Sequence, residues 1–409
     1  MEIAMINEHE FQQDLEATAL PALDSCMHDG YMDPAVSDWH GHRLRTLHPA
    51  DGTPNKLHVV RYDVEKFHAL QIPGSSRQTH GTVLISHGFT EFAAKYKEMA
   101  WYFLLAGFSV CILEHRGHGY SARDVRNDQI VYIDTWHRYV ADLAKCARTI
   151  ARPMAADKPL VLFAHSMGGG IAAAMLERYP NIVDKAVLSS PMIEANLHTP
   201  NWLAALVCGA ACDFGHAKSM APGQRAFTPL IDIKDNQGAC MQRLEWMKKL
   251  RIADTHYQTS AAANEWVRQA IRLSIAMQDP HMCERIETPI LLFQAGNDHW
   301  VRNKAQNRFV KRVGKDGGDI RMVRVPGSVH EIFTMPNSVM TATRGMILYK
   351  PRMDSMSREP MCCSMVPTQR KRRPLETAWK MMSRMAAVMA AGVAMPAHAM
   401  MSPRLAMVE

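Results

Sequence analysis

The strand, turn and helix written into residues 160–179 constrain this chain more than any other stretch. Residues 160–164 (LVLFA) form a short apolar run that reads as a buried strand. Ser166-Met167-Gly168-Gly169-Gly170 follows at once, and an alanine-rich helical pattern continues to Tyr179. Small residues two before and two after a serine permit a tight, strained turn that lifts its hydroxyl clear of a sheet. The first of these is Ala164 rather than glycine, and alanine is compact enough for the same turn. Ser166 is therefore the candidate nucleophile. The plainer role open to it is capping the helix that follows.

The rhythm repeats along the chain. Strands are expected over residues 56–63, 82–86, 108–113, 186–189, 289–294 and 320–325. Helices are expected over 95–106, 135–151 (stopped by Arg152-Pro153) and 304–313. Strands alternating with helices predict a mostly parallel sheet covered by helices. Residues 192–287 interrupt the alternation with helical patterns at 202–211, 241–250 and 261–277 and no clear strand, which predicts a cap inserted between two sheet strands. The expected organisation is an N-terminal extension (1–55), a first core part (56–191), the helical cap (192–287), a second core part (288–337) and an atypical tail (338–409).

Charge locates the tail. The 409 residues carry a net +7, yet residues 1–340 hold 36 basic and 36 acidic side chains. All the excess falls in the last 69 residues, which also hold 13 of the 30 methionines. An electrically balanced body has no electrostatic footprint for nucleic acid. Nine cysteines without repeated spacing argue for reduced thiols. With an acidic N-terminus unlike a signal peptide, they predict a cytoplasmic location.

The partners of Ser166 are sought at the same edge of the sheet, where ligands bind in open α/β sheets. The strand at 289–294 runs into Ala295-Gly296-Asn297-Asp298, and the one at 320–325 into Pro326-Gly327-Ser328-Val329-His330. A serine hydroxyl needs an imidazole to take its proton, and a carboxylate on the far nitrogen fixes the tautomer. Asp298 and His330 are the candidates, with Asp279, Asp316 and Asp319 as weaker acids and His299 as a surface residue. The backbone N–H groups of Met167 and Phe89 are the candidate oxyanion donors, each worth about 3 kcal/mol in a transition state. His87-Gly88 as an ordinary turn is the alternative. Cys208, Cys212 and His216 are not read as a metal site, and no cofactor is called for.

These residues carry a resemblance. Ser86-His87-Gly88-Phe89-Thr90-Glu91 with Tyr96, then Glu114-His115-Arg116-Gly117-His118-Gly119-Tyr120-Ser121, Ala164-His165-Ser166-Met167-Gly168-Gly169, Glu265-Trp266-Val267-Arg268 and the Gly327–His330 segment with Glu331-Ile332 stand in one order. Over residues 10–337 the chain resembles α/β-hydrolases of the monoacylglycerol lipase and lysophospholipase branch. The resemblance implies Ser166 as nucleophile, Asp298 as acid, His330 as base, and long-chain fatty esters as substrates reached under the cap. It implies a serine carboxylic-ester hydrolase working through an acyl-enzyme. An aminopeptidase-like amide hydrolase or a small-ester esterase of the same fold is the alternative, and a non-catalytic binding protein is disfavoured because all three site residues are present. Glu114, where the branch more often has Asp, is expected to hold the Arg116 loop. Trp202, Leu203, Leu206 and Val207 are expected either to line an acyl channel or to pack the cap on the core.

Beyond Asn337 the pattern of the branch stops. Arg370-Lys371-Arg372-Arg373 is a basic cluster, and residues 380–401 look like a misplaced signal peptide with too few apolar residues to span a bilayer. The tail is expected to be a disordered, frame-shifted or fused extension. The rival expectation is a basic tail that makes a peripheral membrane-surface contact.

Overall fold

The computed structural model describes residues 3–315 and 317–342. The tail from residue 343 onward, with its basic cluster and apolar run, lies outside the described residues. Among the described residues ten strands occur: β1 (Met27–Met32), β2 (Leu57–Tyr62), β3 (Gly81–Ser86), β4 (Phe108–Leu113), β5 (Ile130–Val131), β6 (Leu160–His165), β7 (Lys185–Ser189), β8 (Ala261–Ala262), β9 (Ile290–Asn297) and β10 (Ile320–Val329). Eight of them make one sheet in the order β1-β2-β4-β3-β6-β7-β9-β10. The β1–β2 and β2–β4 pairs are antiparallel, and every later pair is parallel. This is the predicted mostly parallel sheet covered by helices.

Alternation of side chains sorts the strands' apolar residues onto two cores. Val83, Ile85, Val110, Ile112, Phe163, Leu291 and Phe293 face one layer. Leu84, Cys111, Leu162, Ala164, Leu188 and Leu292 face the other. Helices Trp136–Cys146 and Ser166–Arg178 cover the second face, and Lys97–Leu105 covers the first. The helical run begun at Trp136 does not stop at Arg152-Pro153. It continues to Ala155 through a π-helical segment at Ala147–Ala151, and Pro153 falls at the start of the α-helical turn Arg152–Ala155 that follows it.

Two segments depart from the sequence expectation. Residues 1–55, read as an extension without strong period, contain a helical run at 8–26 whose Phe11, Leu15, Ala19, Leu23 and Cys26 are buried in the first core. The same segment supplies β1 at the sheet edge. After His330, residues 332–334 form a turn and Asn337–Ala342 a short helix that buries Met340, so helical structure continues past the expected boundary at 338.

The insertion between β7 and β9 holds helices Asn201–Ala211, Met241–Ala253 and Asn264–Ala276. It is not without strands: β8 pairs in parallel with β5, which is why its third helix begins at Asn264 and not at 261. Trp202, Leu206 and Val207 are exposed and do not pack on the core. Among the described residues no helix is long and apolar enough to cross a membrane.

Candidate active site

Ser166 sits where β6 ends and its helix begins, with φ at +51°. A non-glycine residue in that region is strained, and strain persists only where the surroundings over-determine it. Here they do. A Cβ on Gly168 would lie 2.2 Å from the Ser86 carbonyl oxygen, and one on Gly169 would lie 2.7 Å from the Pro191 Cβ. The helix can approach β3 and the Pro191 segment only because those positions are bare. Met192 N–H donates to the Ser166 carbonyl (2.8 Å), which fixes the turn from the far side.

The three residues singled out in the sequence meet. His330 Nε2 is 2.7 Å from Ser166 Oγ, and His330 Nδ1 is 2.8 Å from Asp298 Oδ2. Asp298 divides its carboxylate: Oδ1 accepts the N–H groups of Trp300 (2.9 Å) and Val301 (3.0 Å), which leaves Oδ2 aimed at the imidazole. The β10 register breaks between Val325 and Val329, where Gly327 has φ +73°, and this irregularity leads into His330. Burial opposes a charged His330, but the charge and hydrogen bond of Asp298 outweigh it and hold the imidazole pKa above its ordinary 6.5. His299 lies at the surface, its Nδ1 3.7 Å from Asp235.

The loop after β3 carries Phe89, whose ring meets Trp266 of the insertion at 4.3 Å. Thr90 beside it has φ +61°, and Gly88 N–H donates to Glu91 Oε2 (2.5 Å), so the loop is held by a side chain within it. Met167 N–H lies in the first turn of the helix, where N–H groups have no intrahelical acceptor and the helix dipole is positive. Behind this loop His87, His115 and His118 form a buried cluster. Burial drives His115 and His118 well below the ordinary histidine range, so both are neutral.

Glu114 does hold the following loop, through Tyr120 N–H (2.7 Å), and it also accepts from Ala93 N–H (2.7 Å). Arg116 is not its partner. That guanidinium turns to Asp124 and Asn55 instead. Four further residues stand around the site without a sequence signal that announces them: Glu91, Lys95, His165 and Glu331. Glu91, His165 and Glu331 were legible only as letters within the quoted motifs.

The family model described as serine aminopeptidase, S33, matches residues 77–337. Lysophospholipase L2 of Escherichia coli (strain K12) is 28% identical over 264 residues, covering 61% of this chain and 74% of that protein. The monoacylglycerol lipase of Mycolicibacterium smegmatis (strain ATCC 700084 / mc(2)155) is 27% identical over 259 residues, covering 63% and 83%. A solved soluble variant of monoglyceride lipase from Saccharomyces cerevisiae, in complex with a substrate analogue, aligns with a TM-score of 0.54 at 16% identity, covering 74% of this chain and 94% of that one. At that identity the likeness is one of fold. The sheet order, the helical insertion and a family match over more than half of the chain agree: this is an α/β-hydrolase and belongs to the serine aminopeptidase S33 family.

Proposed function

We propose that the chain is a serine carboxylic-ester hydrolase that acts through an acyl-enzyme on lysophospholipids or monoacylglycerols. The observation that carries this reading is the continuous line Ser166 Oγ, His330, Asp298 at 2.7 and 2.8 Å. His330 Nε2 takes the hydroxyl proton as Ser166 Oγ attacks the ester carbonyl, and Asp298 stabilises the imidazolium that forms. The oxygen that gains charge faces the N–H groups of Phe89 and Met167. The tetrahedral species collapses as His330 returns its proton to the leaving alcohol. Water then attacks the acyl-serine by the same route, and the fatty acid leaves.

The substrate class rests on what the relatives are called, a lysophospholipase and a monoacylglycerol lipase. A peptidase of this fold would need free cap carboxylates to hold a substrate amine. In the insertion Asp213 and Glu265 pair with Arg268, Glu245 with Lys248, and Asp254 with Tyr120 and His256. Asp232 accepts from backbone N–H groups and Asp235 lies 3.7 Å from His299, so the ester reading rests on the names of the relatives.

Lysophosphatidylcholine, monoolein and aminoacyl anilides assayed side by side test the proposal. Release of fatty acid from one of the two lipids, lost in Ser166→Ala, is expected. Turnover of the anilides alone would replace the ester reading with the amide one.

A further inference from the structure

A buried chain of charge joins the oxyanion loop to the base. Glu91 commits both carboxylate oxygens: Oε2 accepts from Gly88 N–H (2.5 Å) and Tyr96 O–H (2.6 Å), and Oε1 from Lys95 Nζ (2.7 Å). Lys95 Nζ donates a second bond, also of 2.7 Å, to Glu331 Oε1. Glu331 is the residue after His330. His165, the residue before Ser166, lies between these ends. Its Nδ1 is 3.1 Å from Glu91 Oε1, and its Nε2 is 3.4 Å from the His330 carbonyl oxygen.

The unit is tight and closed at its Glu91 end, while the Glu331 side chain at the other end is 26% exposed. The side chains of Glu91 and Lys95 are 3% and 8% exposed, and the Phe333 ring packs on His165, Tyr96 and the Lys95 ammonium. A Cβ on Gly88 would lie 2.9 Å from Glu91 Oε2 and 3.0 Å from His165 Nδ1, so the loop has closed fully onto the carboxylate. Burial alone would raise the Glu91 carboxyl, but Lys95 and His165 hold it well below the usual carboxylate range. Without the ammonium, two carboxylates would face each other in a low dielectric, and the loop would part from the segment that carries the base.

We propose that Lys95, clamped between Glu91 and Glu331, is a positioning residue that sets the oxyanion loop and His330 in register with each other. The proposal rests on Ser166, His330 and Asp298 being the catalytic residues. It has an electrostatic signature that packing lacks. The charged and titratable groups around His330 are Asp298 from the loop after β9, Glu331 beside it, Glu91 from the loop after β3, and the His165 ring at 4.9 Å. Glu91 and Glu331 both favour the imidazolium, and the Lys95 ammonium, paired with both carboxylates, counters their charge. Removing the ammonium must raise the pKa of His330, and removing the Glu331 charge must lower it.

The experiment compares the full chain with Lys95→Met, Lys95→Arg and Glu331→Gln, using p-nitrophenyl butyrate from pH 5 to 9, with thermal midpoints and fluorophosphonate labelling measured in parallel. Lys95→Met is expected to lose kcat by roughly 10²-fold with little change in KM, as misplacement of reacting groups does. Its acid limb should move to higher pH, that of Glu331→Gln to lower pH, and Lys95→Arg should regain most of kcat. Lys95→Met with near-normal kcat, or limbs that stay in place in both variants, would overturn the proposal. If Lys95→Met does not fold, the direction of the Glu331→Gln limb decides. A wild-type chain that resists the fluorophosphonate would instead overturn the assignment of Ser166.

Discussion

Ser166 Oγ and His330 Nε2 stand 2.7 Å apart although 164 positions separate them in the chain. Parallel strands make this possible. Because β6, β9 and β10 all run the same way, the residues that follow their carboxyl ends emerge at one edge of the sheet. Ser166, Asp298 and His330 each follow one of these strands directly, so little loop needs ordering to assemble them.

The Asp298 contact sets a pH dependence. A base must be neutral to accept a proton, and Asp298 holds the pKa of His330 above 6.5, so kcat/KM should rise with pH through a limb above that value. Asp298→Asn removes the negative charge, which should move the limb to lower pH while the plateau falls by about 10³–10⁴-fold. A pH–rate profile of both proteins checks the two effects together.

Gly168 and Gly209 should respond oppositely to alanine. At Gly168 the new Cβ would meet the Ser86 and His87 carbonyl oxygens at 2.2 and 2.4 Å, so backbone must move. A loss on the order of 3 kcal/mol and loss of activity are expected. At Gly209, inside helix Asn201–Ala211, nothing lies within 4 Å, and alanine should stabilise by about 0.5–1 kcal/mol. Urea unfolding of the two variants measures both.

Arg243 fastens the insertion to the core. Its guanidinium is fully buried, donates to both Glu98 oxygens (2.7 and 2.9 Å), and reaches the Met335 carbonyl (3.0 Å) and Asn337 Oδ1 (2.6 Å). Arg243→Met leaves the Glu98 carboxylate without its counter-charge, with the Tyr102 hydroxyl still donating to it (2.6 Å), and should cost about 3–5 kcal/mol. The double variant Arg243→Met with Glu98→Met should recover a substantial part of that loss. Thermal unfolding of the single and double variants tests the difference.

The parts of the fold legible in the sequence were those written in continuous apolar letters. Strands β3, β4 and β6 are buried on both faces, so their runs stand out without periodicity. β1 (MHDGYM) does not, because at the sheet edge it needs only backbone pairing and keeps most of its side chains accessible. The stripe Phe11, Leu15, Ala19, Leu23 is present in the N-terminal residues, but alanine weakens its contrast. Asp298 and His330 were readable because each follows a strand. Lys95 was not. Four residues after Glu91 it looks like an ordinary surface pair, and its second partner is 236 positions away.

On this reading Ser166 is a nucleophile activated by His330. Treating the full chain with a fluorophosphonate and locating the adduct by peptide mass spectrometry tests it most directly. One phosphonyl adduct is expected, on the peptide containing Ser166, with none in Ser166→Ala and labelling slowed by orders of magnitude in His330→Ala. A folded wild-type chain that stays unlabelled, or equal labelling of Ser166→Ala, would contradict it.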